Sequence, residues 1–187
     1  MNYAAVFLFV VVVVLALIAI AAYFYSRERR SKLLREHFGP EYDRVVEKEK
    51  NVRRAEAALL ERARTRKTFH IRPLSSTDQT SFTNQWNVVQ SRFVDDPSGA
   101  VVEADRLVDE IMEARGYPVR DFDQQAEIIS VDHPVVVQNY RLAHNIAIRQ
   151  NQGKASTEDL RKAVVHYRSL FDELLYDSRL ERKVVNR

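Results

Sequence analysis

Residues 4–25 read AAVFLFVVVVVLALIAIAAYFY, and from Met1 to Ser26 there is no charged side chain. A helix of about 20 apolar residues crosses the hydrocarbon core of a bilayer. The run has no polar face, so it does not fit a helix buried in a water-soluble core. Tyr3 lies at one end and Tyr23, Phe24 and Tyr25 at the other. Tyr is enriched at membrane interfaces because its ring is amphipathic. Residues 1–26 therefore predict a transmembrane anchor.

A cleaved signal peptide is the rival reading, and Ala19-Ile20-Ala21 has the small residues of a cleavage site. Against it, Met1-Asn2-Tyr3 carries no Lys or Arg, and the apolar run is longer than a signal core. The positive charges follow the run instead, at Arg27, Arg29, Arg30, Lys32 and Arg35. Lys and Arg beside a span bias that side towards the cytoplasm. The expected topology is an uncleaved anchor, N-terminus outside, with the remaining chain in the cytoplasm. The chain of 187 residues has no cysteine, which excludes disulfides, thiolate metal sites and cysteine nucleophiles.

Beyond the anchor the composition favours helix, with only 4 Gly and 5 Pro in the whole chain. Charge is unevenly placed. Residues 26–72 hold 15 Lys/Arg against 8 Asp/Glu, whereas residues 73–187 hold 14 against 18. A basic membrane-proximal part and an acidic distal part bear on partners rather than on fold.

Gly39-Pro40 interrupts the helix that continues from the anchor. Glu41 to Thr68 then predicts a second, charged helix, with Val45, Val52 and Leu59 at a spacing of seven. Those three positions make a thin seam for a coiled coil. The segment 27–72 is expected to be a basic stalk, or an amphipathic arm folded on the domain. His70 to Leu74 is extended linker. Ser75 with Asp78, and Ser156 with Asp159, are capping-box-like helix starts. Asp96-Pro97 starts a helix and Gly116 stops it. Phe82, Trp86, Val89 and Phe93 form one helical stripe, and Leu160, Ala163, Val164, Tyr167, Leu170, Phe171, Leu174 and Leu175 form the cleanest. Asp121 to Ile129 reads as a short helix or turn, and Asp132-His133-Pro134 as the opening of another helix. The fold class is all-α: a transmembrane helix, a charged stalk helix, and a compact bundle of about four helices over 73–176, then a charged tail over 177–187.

Candidate chemistry is sparse. His133, His144 and His166 fall in the last two long helices, but the chain has neither Glu-x-x-His nor His-x-x-x-His. His133 reads as part of a helix start, and His144 and His166 as boundary residues. Asp105, Asp109 and Glu113 lie one turn apart, on what the core stripe marks as a solvated face. No Gly-rich phosphate loop or nucleophile elbow is present. No cofactor, metal or small-molecule ligand is expected. Arg62, Arg64, Arg66 and Lys67 form the candidate interaction cluster, serving the domain or a partner. Nucleic-acid binding needs a reading element beyond such charge, and six acidic residues from Glu41 to Glu61 dilute it.

Several segments together resemble a family of bacterial membrane-anchored helical proteins to which no activity is assigned. They are Phe38-Gly39-Pro40-Glu41-Tyr42, Arg92 to Pro97, Arg115-Gly116-Tyr117-Pro118, Val131-Asp132-His133 and His166 to Phe171. The resemblance covers most of residues 36–175. It implies a bacterial source and an inner-membrane location. The expected function is a membrane-tethered, non-enzymatic interaction module whose partners are the lipid bilayer and a protein. The alternative is an enzyme or metal-dependent protein using the His and Asp residues of the bundle.

Overall fold

A computed structural model describes residues 3–118 and 121–176. Among these residues all regular structure is helical, in eight helices. The charged tail expected over 177–187 lies outside the described residues. The chain divides into two compact units, Met1–Glu56 and Ala57–Arg187.

The first unit opens with α1 (Tyr3–Phe38), a single helix that includes both the apolar run and the basic segment after it. α1 is long and apolar enough to cross a membrane, and among the described residues nothing covers its apolar window. Its last turn ends at Gly39, whose φ of 49° lies in the left-handed region that favours glycine. Pro40 then opens α2 (Pro40–Glu49), with Glu41 and Asp43 in its first turn. α2 packs against α1. Asp43 pairs with Arg35 at 3.3 Å, and the Arg35 guanidinium lies over the Tyr42 ring at 5.0 Å.

The continuous helix expected over 41–68 is broken in two. Lys50 adopts φ 51°, and the chain turns there before α3 (Val52–Lys67) begins. Asn51 supplies the start signal, its Oδ1 accepting from the Arg54 backbone N–H at 3.1 Å. The Val45–Val52–Leu59 repeat concealed this break because it continues in phase across it. The first turn of α3 is fastened to α1: Glu56 accepts from Ser31 Oγ and from the Tyr42 hydroxyl, the latter at 3.1 Å. The 27–49 segment is therefore a doubled-back structure and not an extended stalk.

The second unit contains the rest of α3 and α4 (Ser76–Asp95), α5 (Pro97–Arg115), α6 (Phe122–Asp132), α7 (Val137–Asn151) and α8 (Thr157–Leu175). The start signals act as the sequence requires. Ser75 Oγ accepts from Asp78 N, Asp96 Oδ1 from Gly99 N, and Ser156 with Asp159 forms a complete capping box. Gly116 closes α5 at φ 88°, and a Cβ there would meet the His70 carbonyl oxygen at 2.6 Å. α5 is the central helix, packed against α4, α7 and α8, and α7 lies along α8. One core joins them, with Trp86, Leu107, Ile111, Ile129, Tyr140, Tyr167, Leu170 and Phe171 among its members. Phe69, Ile71 and Leu74 of the linker pack on the same core. α7 starts at Val137, later than the Asp132 start expected, because His133 to Val136 form a turn between α6 and α7.

Candidate functional site

Chemistry-bearing side chains of the second unit gather in two places. The first joins α3 to α6. Arg62, almost fully buried, donates to Glu127 at 2.7 Å. One turn on, Arg66 Nε donates to Asp132 Oδ2 at 2.6 Å, and the Tyr117 hydroxyl donates to the same oxygen at 2.9 Å. Burial, then the Asp132 charge, pushes the Tyr117 phenol well above its ordinary range. Beside it, His133 Nδ1 lies 3.1 Å from Glu173 of α8, and Arg115 Nη1 donates to the Leu174 carbonyl at 2.6 Å. His133 is 1% exposed and Arg115 fully buried. His133 is thus no helix-start residue: it closes α6, and its ring is enclosed between α6 and α8.

The four-residue basic cluster therefore splits. Arg62 and Arg66 turn inward and hold α3 on α6. Arg64 is exposed and pairs with Glu61 of its own helix at 3.4 Å, and Lys67 is exposed. On α1, Arg29, Arg30, Lys32 and Arg35 are exposed and Arg27 is half-buried.

The second gathering corrects the expectation of a solvated acidic face on α5. Asp105 and Asp109 are half-buried, and only Glu113 of the three is exposed. Asp109 Oδ1 accepts from Gln125 Nε2 of α6 at 3.0 Å and from the Tyr140 hydroxyl of α7 at 3.4 Å. Gln125 Oε1 lies closer to the same hydroxyl, at 3.1 Å, so the one phenol proton is shared between the two oxygens. Burial, reinforced by the Asp105 charge, raises the Asp109 carboxyl above its ordinary value. Tyr140 and Tyr167 rise further, both through burial first and then through the two aspartates. Phe122 stacks on His144 with centroids 3.5 Å apart, and burial lowers that imidazole. His166 meets Asn139 at 3.1 Å, and burial lowers it too.

The three histidines thus take three different partners, and among the described residues no group of three or more His, Asp or Glu is placed to hold a metal ion. The tyrosines are pushed away from ionisation, which opposes their use as bases or nucleophiles at neutral pH. No signal in the sequence could have placed Arg115, Gln125 and His133 inside, because each is a polar residue whose partner is remote in the chain.

No family model matches the chain, and comparison with curated proteins and with solved structures returns no match.

Proposed function

We propose that the protein is a membrane-tethered interaction module, held by α1 in the inner membrane of a bacterium, with its N-terminus outside and its helical bundle in the cytoplasm. The observation that carries this reading is α1 itself: an apolar stretch that none of the other described residues covers, followed directly by five Lys/Arg from Arg27 to Arg35. Apolar surface of that extent is covered by lipid, and the charge bias sets the direction. The bundle supports a binding role because its buried titratable side chains are engaged with one another. His133 meets Glu173, Arg66 meets Asp132, and Asp109 meets Gln125 and Tyr140. Such contacts fix a surface that a protein partner can recognise.

Site-specific photo-crosslinking in living cells tests the proposal. A photoreactive residue is placed at exposed bundle positions such as Val88, Val102, Val135 and Val165. One discrete adduct is expected from neighbouring positions on one face, unchanged by His144→Ala and His166→Ala. No adduct from any face, or metal bound at unit stoichiometry and lost in those variants, would overturn it.

A further inference from the structure

A straight helical stalk would carry Arg53 about 40 Å beyond Arg27, at 1.5 Å of rise per residue. The doubled-back first unit does not allow this. Ser31 lies six residues past Tyr25 on the same helix, so it stands about 9 Å beyond the end of the apolar run. Glu56 is bound to Ser31 and to Tyr42, so the first turn of α3 stands at that height. Arg53 and Arg54 lie in that turn, and Lys50 and Asn51 form the corner leading into it. Arg53 and Arg54 are three and two residues before Glu56 in α3, so they lie within about 5 Å of it along that helix.

Two basic segments far apart in sequence thus reach one level. Arg27, Arg29, Arg30 and Lys32 come from α1, and Lys50, Arg53 and Arg54 from the corner. None of the seven has an ion-pair partner among the described residues, whereas Arg35 and Arg44 are taken by Asp43 and Glu41. Glu28, Glu49 and Glu56 are the acidic residues closest in sequence, three against seven, with Glu36 and Glu47 further along α1 and α2. The balance at this level is positive. Charges near an anionic leaflet are attracted within a Debye length of about 8 Å. Arg53 on a straight stalk would lie several Debye lengths away, whereas at the height of Ser31 it lies at about one, and its side chain reaches beyond its backbone.

We propose that the α2–α3 corner is a second membrane contact, in which Lys50, Arg53 and Arg54 bind anionic phospholipid headgroups beside those held by Arg27 to Lys32. The inference rests on α1 being a retained span. The contact gives the protein two points on the bilayer, which restrains rotation about the anchor as a single helix cannot.

The absence of cysteine permits a clean test on the full-length protein in nanodiscs containing phosphatidylglycerol. Fluorophores are attached at single cysteines replacing Glu28, His37 or Val52, all exposed, and quenched by headgroup-labelled lipid. Quenching at position 52 is expected to match that at 28 and to exceed that at 37 about twofold. With the quencher carried on the anionic lipid, Arg53→Gln with Arg54→Gln, or high salt on the unaltered arginines, should bring position 52 down towards the value at 37, because that lipid is no longer gathered at the corner. So should replacing phosphatidylglycerol with phosphatidylcholine. Strong quenching at 28 with position 52 no higher than 37, or insensitive to salt and lipid charge, overturns the proposal and leaves the anchor standing. No quenching at 28 overturns the anchor and the second contact together.

Discussion

Asp109 is the residue at which pH and stability meet most directly. Its carboxyl is raised by burial and by Asp105, so the folded state holds that proton more tightly than the unfolded chain does. A raised carboxyl favours the fold fully only below its unfolded value, near 3.8, and that favour is lost as pH rises through the folded value. At neutral pH, above the unfolded value, the group therefore opposes folding. Asp109→Asn keeps an oxygen for Gln125 and Tyr140 and removes the charge. It should raise the thermal midpoint at pH 7 in detergent, with the gain vanishing at pH 3. Trp86 presents a different balance. It is 4% exposed, stacked on Phe171 at 4.7 Å, and its indole N–H has no hydrogen-bond partner among the described residues. Trp86→Ala should cost about 3–5 kcal/mol by chemical unfolding. Trp86→Phe keeps the stack and removes the orphan donor, which relieves about 1–3 kcal/mol, so its loss should be much smaller. Trp86 was legible from the 82–86–89–93 spacing. Asp109 was not, because a single core stripe per helix assumes one buried side. α5 is packed by α4, α7 and α8, and Gln125 of α6 reaches it as well.

Among the elements, α3 carries ion pairs of different depth, the deeper ones to α6 and a shallow one within α3 itself. Arg66 and Asp132 have side chains 19% and 25% exposed, while Arg64 and Glu61 are 78% and 67% exposed. Exposed pairs contribute about 0–1 kcal/mol, whereas removing one partner of an enclosed pair leaves a charge stranded. A double-mutant cycle on Arg66 and Asp132 should therefore give a clear coupling energy, and the Arg64–Glu61 cycle almost none. Equal couplings would mean that Arg66 does not hold α3 on α6 and would leave the attachment to Arg62 and Glu127. The caps were legible because Ser75, Asp96 and Ser156 act within three residues of themselves. The break at Lys50 was hidden by an apolar repeat in phase across it, although Asn51 was the residue that marked it. The α6–α7 turn was missed for a related reason. Asp132-His133-Pro134 carries the letters of a helix start, but Asp132 is bound to Arg66 and Tyr117, and so is not available to cap.

For the whole molecule the account stands on one helix. α1 was legible in full, since 22 uninterrupted apolar residues need no tertiary information. That it is retained, and that the bundle lies in the cytoplasm, are proposed on the strength of its flanking charges. Both are read in a single experiment. Lys154 lies exposed between α7 and α8, and the chain has no other cysteine to confuse a label at Lys154→Cys. A membrane-impermeant maleimide is applied to bacterial spheroplasts expressing this variant, before and after permeabilisation, and the labelled product is sized. A retained anchor with a cytoplasmic bundle predicts no labelling until the membrane is opened, and then one membrane-bound band at full-length mass. Labelling of intact spheroplasts, or a band shortened by the length of the apolar run, would contradict it.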